Sequence, residues 1–259
     1  MKRAPRTIAT AAIIAAGLAL TGCADNGETG GDDQTFVFAN SGAYKPFSFD
    51  QGGDIVGFDV DIATEIADRL DREPVMMSPV PFDTLIQGLR DGRYDALVAS
   101  HGITPEREEQ VDFTRPYYRS GAQIFVGTGD DRIAGADDLD GMRVGVVKAS
   151  TYLELANTLT DPGLVTTYDS DVVALQDLTT GRIDAVITDM LVGLIAKDES
   201  GLEIEAVGTP IEQDEMGIAV QDGDTELLDA INEALEAMIA DGTYAEISDR
   251  WFGENILGE

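Results

Sequence analysis

The sequence predicts an α/β protein of two similar lobes, each a sheet flanked by helices, and three observations carry that expectation. Strand-like runs alternate with helical ones along most of the chain, the pattern of a largely parallel sheet with helices on its faces. Residues 87–100 echo in residues 176–189: Gln87/Gln176, Leu89/Leu178, Gly92/Gly181, Arg93/Arg182, Asp95/Asp184 and Ala96/Ala185 are identical pairs, each 89 positions apart. The length of 259 residues accommodates two lobes of roughly 100 to 130 residues. In both copies of the echo a helix stops at a Gly, an Arg and an Asp make the turn, and an apolar strand follows that ends in a polar residue, Ser100 or Asp189. Ligands of open α/β sheets bind beyond the carboxyl ends of the strands. Two such lobes facing each other would enclose a cleft with one wall from each.

Taken in order, residues 35–39 form a first strand. Asp59 is placed to cap a helix in which Ile62, Ile66 and Leu70 recur every four residues. Residues 75–80 read as a strand, and Asp83 caps a helix over 84–90 that Gly92 stops. Residues 95–100 are a short apolar run suited to burial in a parallel sheet. There follow a strand over 143–147, a helix from Thr151, a strand over 165–168, a helix over 172–178 and a strand over 183–188. Residues 216–221 form another strand, residues 225–240 a helix with Leu228, Ile231, Leu235 and Met238 on one face, and a last helix runs to Trp251 and Phe252. If these last helices return to the first lobe, the chain crosses between lobes at 119–122 and again at 209–217, a paired crossing that acts as a hinge. Lobe 1 is then 35–118 with 218–259, and lobe 2 is 123–208.

The charge is strongly one-sided: 49 Asp and Glu against 17 Lys and Arg, a formal net charge of −32, with 43% hydrophobic residues. That apolar share supplies a core, so the acidity lies on a surface and the chain is not intrinsically disordered. Such a field repels phosphate backbones, which excludes nucleic acid as a partner. The few lysines among the basic residues and the many aspartates fit a saline milieu that screens self-repulsion; plain solubility is the alternative. At the N-terminus, Lys2, Arg3 and Arg6 precede an uncharged, mostly apolar run over 7–20, the pattern of an export signal that is too short to span a bilayer. It ends in Leu20-Thr21-Gly22-Cys23, which is similar to the lipobox of bacterial lipoproteins, where cleavage precedes a lipid-modified Cys. The alternative is a conventional signal cut nearby that leaves a free thiol. Residues 1–22 are accordingly a lipoprotein signal peptide and residues 23–34 a polar, glycine-rich tether with a reach of roughly 20 Å. Cys23 is the sole Cys, so neither an intrachain disulfide nor a cysteine metal cluster can form.

Eight segments occur in a telling order: Tyr44-Lys-Pro-Phe-Ser-Phe49, Gly57-Phe-Asp-Val-Asp61, Pro81-Phe-Asp-Thr-Leu-Ile86, Gly92-Arg-Tyr-Asp-Ala96, Ile103-Thr-Pro-Glu-Arg107, Val111-Asp-Phe-Thr-Arg-Pro-Tyr-Tyr118, Gly181-Arg-Ile-Asp-Ala185 and Asp241-Gly-Thr-Tyr244 with Trp251-Phe-Gly253. Through them the chain resembles the polar amino-acid-binding subfamily of family 3 extracellular solute-binding proteins of ABC importers, in lipoprotein form. The resemblance implies a two-lobed flytrap fold, a monomer that closes on its ligand, docking on a permease and its ATPase, and no cofactor. It also implies roles at matched positions. Arg107 holds the ligand α-carboxylate, for which a planar guanidinium supplies two parallel hydrogen bonds. Asp189 receives the α-ammonium, with capping of the helix that follows as its other role. Ser150 and Thr151 meet the carboxylate from the second lobe through N–H groups at a helix start. Tyr44 and Phe82 sandwich the ligand stem, and Ser100 offers backbone contacts. Gly102 departs from the family's usual Ser or Thr, leaving a backbone N–H and room, and His101 stands where the family is apolar. Ser41 replaces the Asp that basic-amino-acid binders carry, and Lys148 stands where Gln is frequent. A cation there would favour an acidic or neutral polar ligand, unless Lys148 pairs with a surface carboxylate or other acids, such as Asp61, Glu212 and Asp214, restore a negative pocket.

The residue inventory argues against an enzyme. One His, one Cys at a lipidation site and no Gly-x-Ser-x-Gly elbow leave no nucleophile and base to pair, and no Walker motif is present. Asp222-Gly-Asp224 lacks the remaining ligands of a calcium loop, so no metal site is expected. An extracytoplasmic amino-acid receptor is the expected function, and the alternative is a periplasmic lyase on the same fold that resembles the cyclohexadienyl or arogenate dehydratases.

Overall fold

Asp95 and Asp184, the paired acids of the internal echo, perform the same task in two places. In the computed structural model, which describes residues 34–258, Asp95 Oδ2 accepts a hydrogen bond from the Val37 N–H at 2.7 Å and Asp184 Oδ2 accepts one from the Arg143 N–H at 3.0 Å. Each carboxylate thus ties the start of its own strand to the backbone of a neighbouring parallel strand or of the residue that precedes it. The expected signal peptide and Cys23 lie outside the described residues.

The first lobe begins with β1 (Thr35–Ala39), a small antiparallel ribbon of β2 (Ala43–Tyr44), β3 (Ser48–Gln51) and β4 (Asp54–Val56), and α1 (Phe58–Arg69). It continues through β5 (Glu73–Met77), a 3₁₀ turn at Phe82–Thr84 leading into α2 (Leu85–Arg90), β6 (Ala96–Gly102), α3 (Pro105–Glu108) and β7 (Val111–Phe113). The long strand β8 (Tyr118–Gly127) then carries the chain into the second lobe, made of β9 (Val144–Val147), α4 (Thr151–Leu159), β10 (Val165–Tyr168), α5 (Asp171–Thr179), β11 (Ala185–Asp189) and α6 (Met190–Ser200). The return path is β12 (Ile204–Gln221), followed by α7 (Thr225–Asp241) and α8 (Thr243–Phe252). The strand order is β10-β9-β11-β8-β12-β6-β1-β5, with β7 on β12. The fold is therefore α/β with two lobes, as expected, and each lobe has its own core.

Phe36, Phe47, Phe58, Tyr117 and Tyr118 are buried in the first lobe, with Phe47 stacked on Tyr118 at 4.7 Å between ring centroids. Ile124, Val144, Val146, Ala185 and Ile187 fill the second. Burying an aromatic or aliphatic side chain of this size contributes about 1.5 to 3 kcal/mol, and β6 and β11 are buried along their whole length, as strands covered on both faces must be.

Several local expectations shift. The start of α1 is Gly57 rather than Asp59: Gly57 has φ 141°, and a Cβ there would lie 2.2 Å from the Phe47 carbonyl oxygen, so only glycine fits the approach. Asp59 falls inside the first turn and is fully buried. Asp83 likewise sits within the 3₁₀ turn instead of capping α2. The strand expected to reach Val80 ends at Met77, and the helix expected over 225–240 runs from Thr225 to Asp241, capped by Asp224, whose Oδ1 accepts from the Leu227 N–H at 3.1 Å.

The two segments expected to cross between the lobes pair with each other. Arg119 faces Glu215, Ser120 faces Asp214, Gly121 faces Gln213 and Ala122 faces Glu212 in an antiparallel ladder. A Cβ on Gly121 would come within 2.6 Å of the Glu212 carbonyl oxygen, which keeps that position small. The polar residues of β12 before Met216 carry no apolar alternation, and only β8 shows them to be a strand.

Candidate ligand-binding site

A cavity of about 560 Å³, partly open to solvent, lies between the lobes. Tyr44, Phe82, Ser100, Gly102, Arg107, Ser150 and Thr151 all line it. Asp189 is the one expected site residue outside its lining.

Arg107 is positioned by a short, well-capped helix. Thr104 caps α3, its hydroxyl accepting from the Arg107 N–H at 3.3 Å, and Pro105 occupies the first helical position, where a missing N–H costs nothing. The guanidinium spans the cleft: Nη1 donates to the Gly102 carbonyl at 2.9 Å and Nη2 to the Ala149 carbonyl of the other lobe at 3.2 Å. Burial draws its pKa below the ordinary value, against the pull of Tyr152 and Asp214. No carboxylate forms an ion pair with Arg107 among the described residues, which makes it a cation held ready for an external anion. Across from it, α4 begins at Thr151 with no side-chain cap, because the Ser150 hydroxyl donates to the Val147 carbonyl at 2.7 Å. The first N–H groups of α4 are then free to meet a carboxylate. A Cβ on Gly102 would make ordinary contact with Arg107 Nη1 at 3.5 Å and Thr151 Cγ2 at 3.6 Å, so this position is roomy but not strained.

Ser100 adopts φ 54° at the end of β6, a region rare for residues with a side chain. A buried network holds it there. The Ser100 hydroxyl donates to Asp59 Oδ2 at 3.0 Å, the Tyr117 hydroxyl donates to Asp59 Oδ1 at 2.6 Å, and the Ser100 N–H donates to the Tyr117 oxygen at 3.0 Å. With its hydroxyl committed inward, Ser100 has its backbone to offer the cavity. Phe82 stacks on His101 at 4.5 Å between centroids, and Tyr44 stacks on Phe47 at 5.3 Å. His101 is 1% exposed and does not line the cavity. Burial lowers its pKa well below the usual value, so it is a neutral ring supporting Phe82.

Asp189 terminates β11 and caps α6: Oδ1 accepts from the Leu191 N–H at 2.8 Å and from the Ser120 hydroxyl at 2.7 Å. Its Oδ2 is buried with no hydrogen-bond partner among the described residues, and burial pushes the carboxyl up to about 7. An orphaned buried acceptor beside a cleft is an incomplete arrangement that a donor would complete.

Sequence reasoning passed over Asp171, Tyr152 and Met216, which also line the cavity. Asp171 opens α5, accepts a hydrogen bond from the Thr188 hydroxyl, and is 5% exposed. No local signal marked it, since Asp171 lies before the echoed segment 176–189. Lys148 does not line the cavity. It pairs with Asp169, which does line the cavity, at 2.7 Å and with Asp83 at 3.4 Å, its side chain 40% exposed, so pairing with carboxylates, the alternative reading, describes it.

The family model for bacterial extracellular solute-binding proteins, family 3, matches residues 36–254. The chain belongs to this family. The L-cystine-binding protein TcyJ of Escherichia coli (strain K12) is 34% identical over 255 residues, covering 95% of this chain and 94% of that protein. The ABC transporter arginine-binding protein 1 of the same organism is 36% identical over 220 residues, 83% of this chain and 89% of the other. Among solved structures, an ancestral arginine-binding protein bound to glutamine superposes with a TM-score of 0.79 at 39% identity, covering 85% of this chain and 99% of that one. These family 3 relatives are binding proteins. Among the described residues no group of acidic, His or Cys side chains is placed to hold a metal ion, and no helix is long and apolar enough to cross a membrane.

Proposed function

We propose that this family 3 protein is an extracytoplasmic lipoprotein that captures one amino acid with a polar side chain between its lobes and delivers it to the permease of an ABC importer. Arg107 carries this reading: a guanidinium reaching across the cleft, without a carboxylate partner among the described residues, faces an uncapped helix start. Arg107, Ser150 and Thr151 would take the α-carboxylate, Asp189 Oδ2 and the Ser100 backbone the α-ammonium, and Tyr44 and Phe82 the stem, beside Gly102. Lobe 1 (35–118 and 218–259), lobe 2 (123–208) and the hinge (119–122 and 209–217) are the units that would move. Cys23 would tether the protein to the cell membrane, with residues 1–22 removed. The name of the arginine-binding relative supports the importer role.

Calorimetric titration of the purified protein with each of the twenty amino acids tests the reading, and at least one is expected to bind saturably at one site. Absence of binding by all twenty, or turnover of arogenate or prephenate, would overturn it.

A further inference from the structure

Among the described residues, three charged side chains line the cavity: Arg107, Asp169 and Asp171. Asp169 already has a counter-charge in Lys148, and Arg107 faces the ligand carboxylate in the reading above. Asp171 forms no ion pair with Lys or Arg among the described residues, and its side-chain partner is the neutral Thr188 hydroxyl. A nearly buried carboxyl in this position is costly to ionise unless a cation joins it.

Its place in the cleft shows which part of a ligand it would meet. A second chamber, walled by Val172, Leu175 and Val192 among others, shares Ala43, Tyr44 and Asp171 with the first. None of Arg107, Gly102, Ser150 or Thr151 borders that chamber. Asp171 thus borders both spaces, as Tyr44 does, whereas Arg107 borders only the first. Lys45 borders the far chamber, with its ammonium 5.0 Å over the Phe49 ring. A ligand whose carboxylate rested at Arg107 and whose stem passed between Phe82 and Tyr44 would direct the tip of its side chain towards the space that Asp171 borders.

We infer that Asp171 is the residue that reads the side chain, selecting amino acids whose side chain ends in a cationic nitrogen group, guanidinium or ammonium. The inference rests on the amino-acid-receptor reading. It reverses the expectation drawn from Ser41 and Lys148: the counter-charge missing from the first lobe is supplied by the second, and Lys148 is spent on Asp169 and Asp83. An acidic side chain would bring a second negative charge to Asp171, which has no ion-pair partner among the described residues, so discrimination comes from repulsion as well as attraction. Burial raises the carboxyl to about 6, which leaves it mostly ionised at neutral pH, and its place in the first turn of α5 favours the ionised form.

Affinities of the wild-type protein and of Asp171→Asn for L-arginine, L-lysine, L-glutamine and L-glutamate test this. Wild type is expected to bind arginine or lysine about tenfold or more tighter than glutamine, and glutamate weakest. Asp171→Asn should lose about tenfold or more for the cationic ligands while its affinity for glutamine stays within about threefold. Equal losses for arginine and glutamine would assign Asp171 to the ammonium or to the scaffold and overturn the inference. Preference of the wild type for glutamate or glutamine would overturn it without reference to the variant, and so covers the case in which Asp171→Asn fails to fold. Binding of none of the twenty amino acids is the separate outcome that removes the receptor reading and this inference with it.

Discussion

The Asp59 carboxylate accepts the Ser100 hydroxyl at 3.0 Å, joining the first turn of α1 to the strand end that meets the cleft. Asp59 touches nothing in the cavity, yet it fixes the backbone of a residue that lines it. Replacing Asp59 with Ala strands the Tyr117 and Ser100 hydroxyls in the core, at a cost of about 2 to 3 kcal/mol. Urea denaturation should show that loss, and titration should show weaker ligand binding because Ser100 is no longer held at φ 54°. Unchanged stability would mean that water replaces the carboxylate freely.

The pH dependence of stability has a defined sign. Burial holds Asp59 at about 7, Asp171 at about 6 and Asp189 at about 7, above the value of about 4 for an unfolded chain. Between those values the folded state binds more protons, so stability present at pH 4 is lost as pH rises towards 7. Asp241 has the opposite sign: the Thr243 N–H and Arg69 hold it at about 2, and its contribution disappears as pH falls through that value. Urea midpoints at fixed ionic strength should decline from pH 4.5 to 7.5 (values of about this spacing bracket the shifts), with a shallower decline in Asp59→Asn. A midpoint that climbs over this range contradicts the assignment.

Arg107→Ala should weaken amino-acid binding by roughly 30-fold to several-thousand-fold, the equivalent of about 2 to 5 kcal/mol for removing one partner of a desolvated ion pair. Arg107→Lys keeps the charge but loses the two-pronged geometry, so it should recover only part of the affinity. Calorimetry on both variants measures the difference, and a loss below about threefold in Arg107→Ala would remove the guanidinium from the site.

Cys23→Ser should abolish membrane retention, releasing the protein or leaving it unprocessed, since stable anchoring needs more than one acyl chain. Fractionation of cells expressing the variant reads this directly. Retention of a correctly cleaved Cys23→Ser protein would argue for another anchor.

With a formal charge of −32, the folded state should gain from salt, because ions screen surface repulsion beyond about 8 Å at physiological strength. The melting temperature should rise between low and molar NaCl. A flat curve would show that pairs such as Arg119–Glu215 and Arg143–Asp184 already balance the local charge.

The sequence by itself determined the α/β class, the doubled unit and the residues around Arg107, because these are written in local signals: apolar runs, a glycine at a helix end, an Asp at a strand start, and a threonine and proline that begin α3. The echo reached further than its motif, since Asp95 and Asp184 turned out to bond the backbone of Val37 within β1 and of Arg143 just before β9. Only the tertiary structure decided what depends on distant partners. Asp59 reads locally as a helix cap, but the Gly57 contact with Phe47 moves the helix start and turns the carboxylate towards Ser100, 41 residues away. The early part of β12 has no apolar period because it is made by pairing with β8 and not by burying one face. Lys148 and Asp171 exchange their expected weight for the same reason. A charge belongs to a site through the groups it faces, and sequence order gave no sign that Lys148 meets Asp83 and Asp169 while Asp171 lines the cleft.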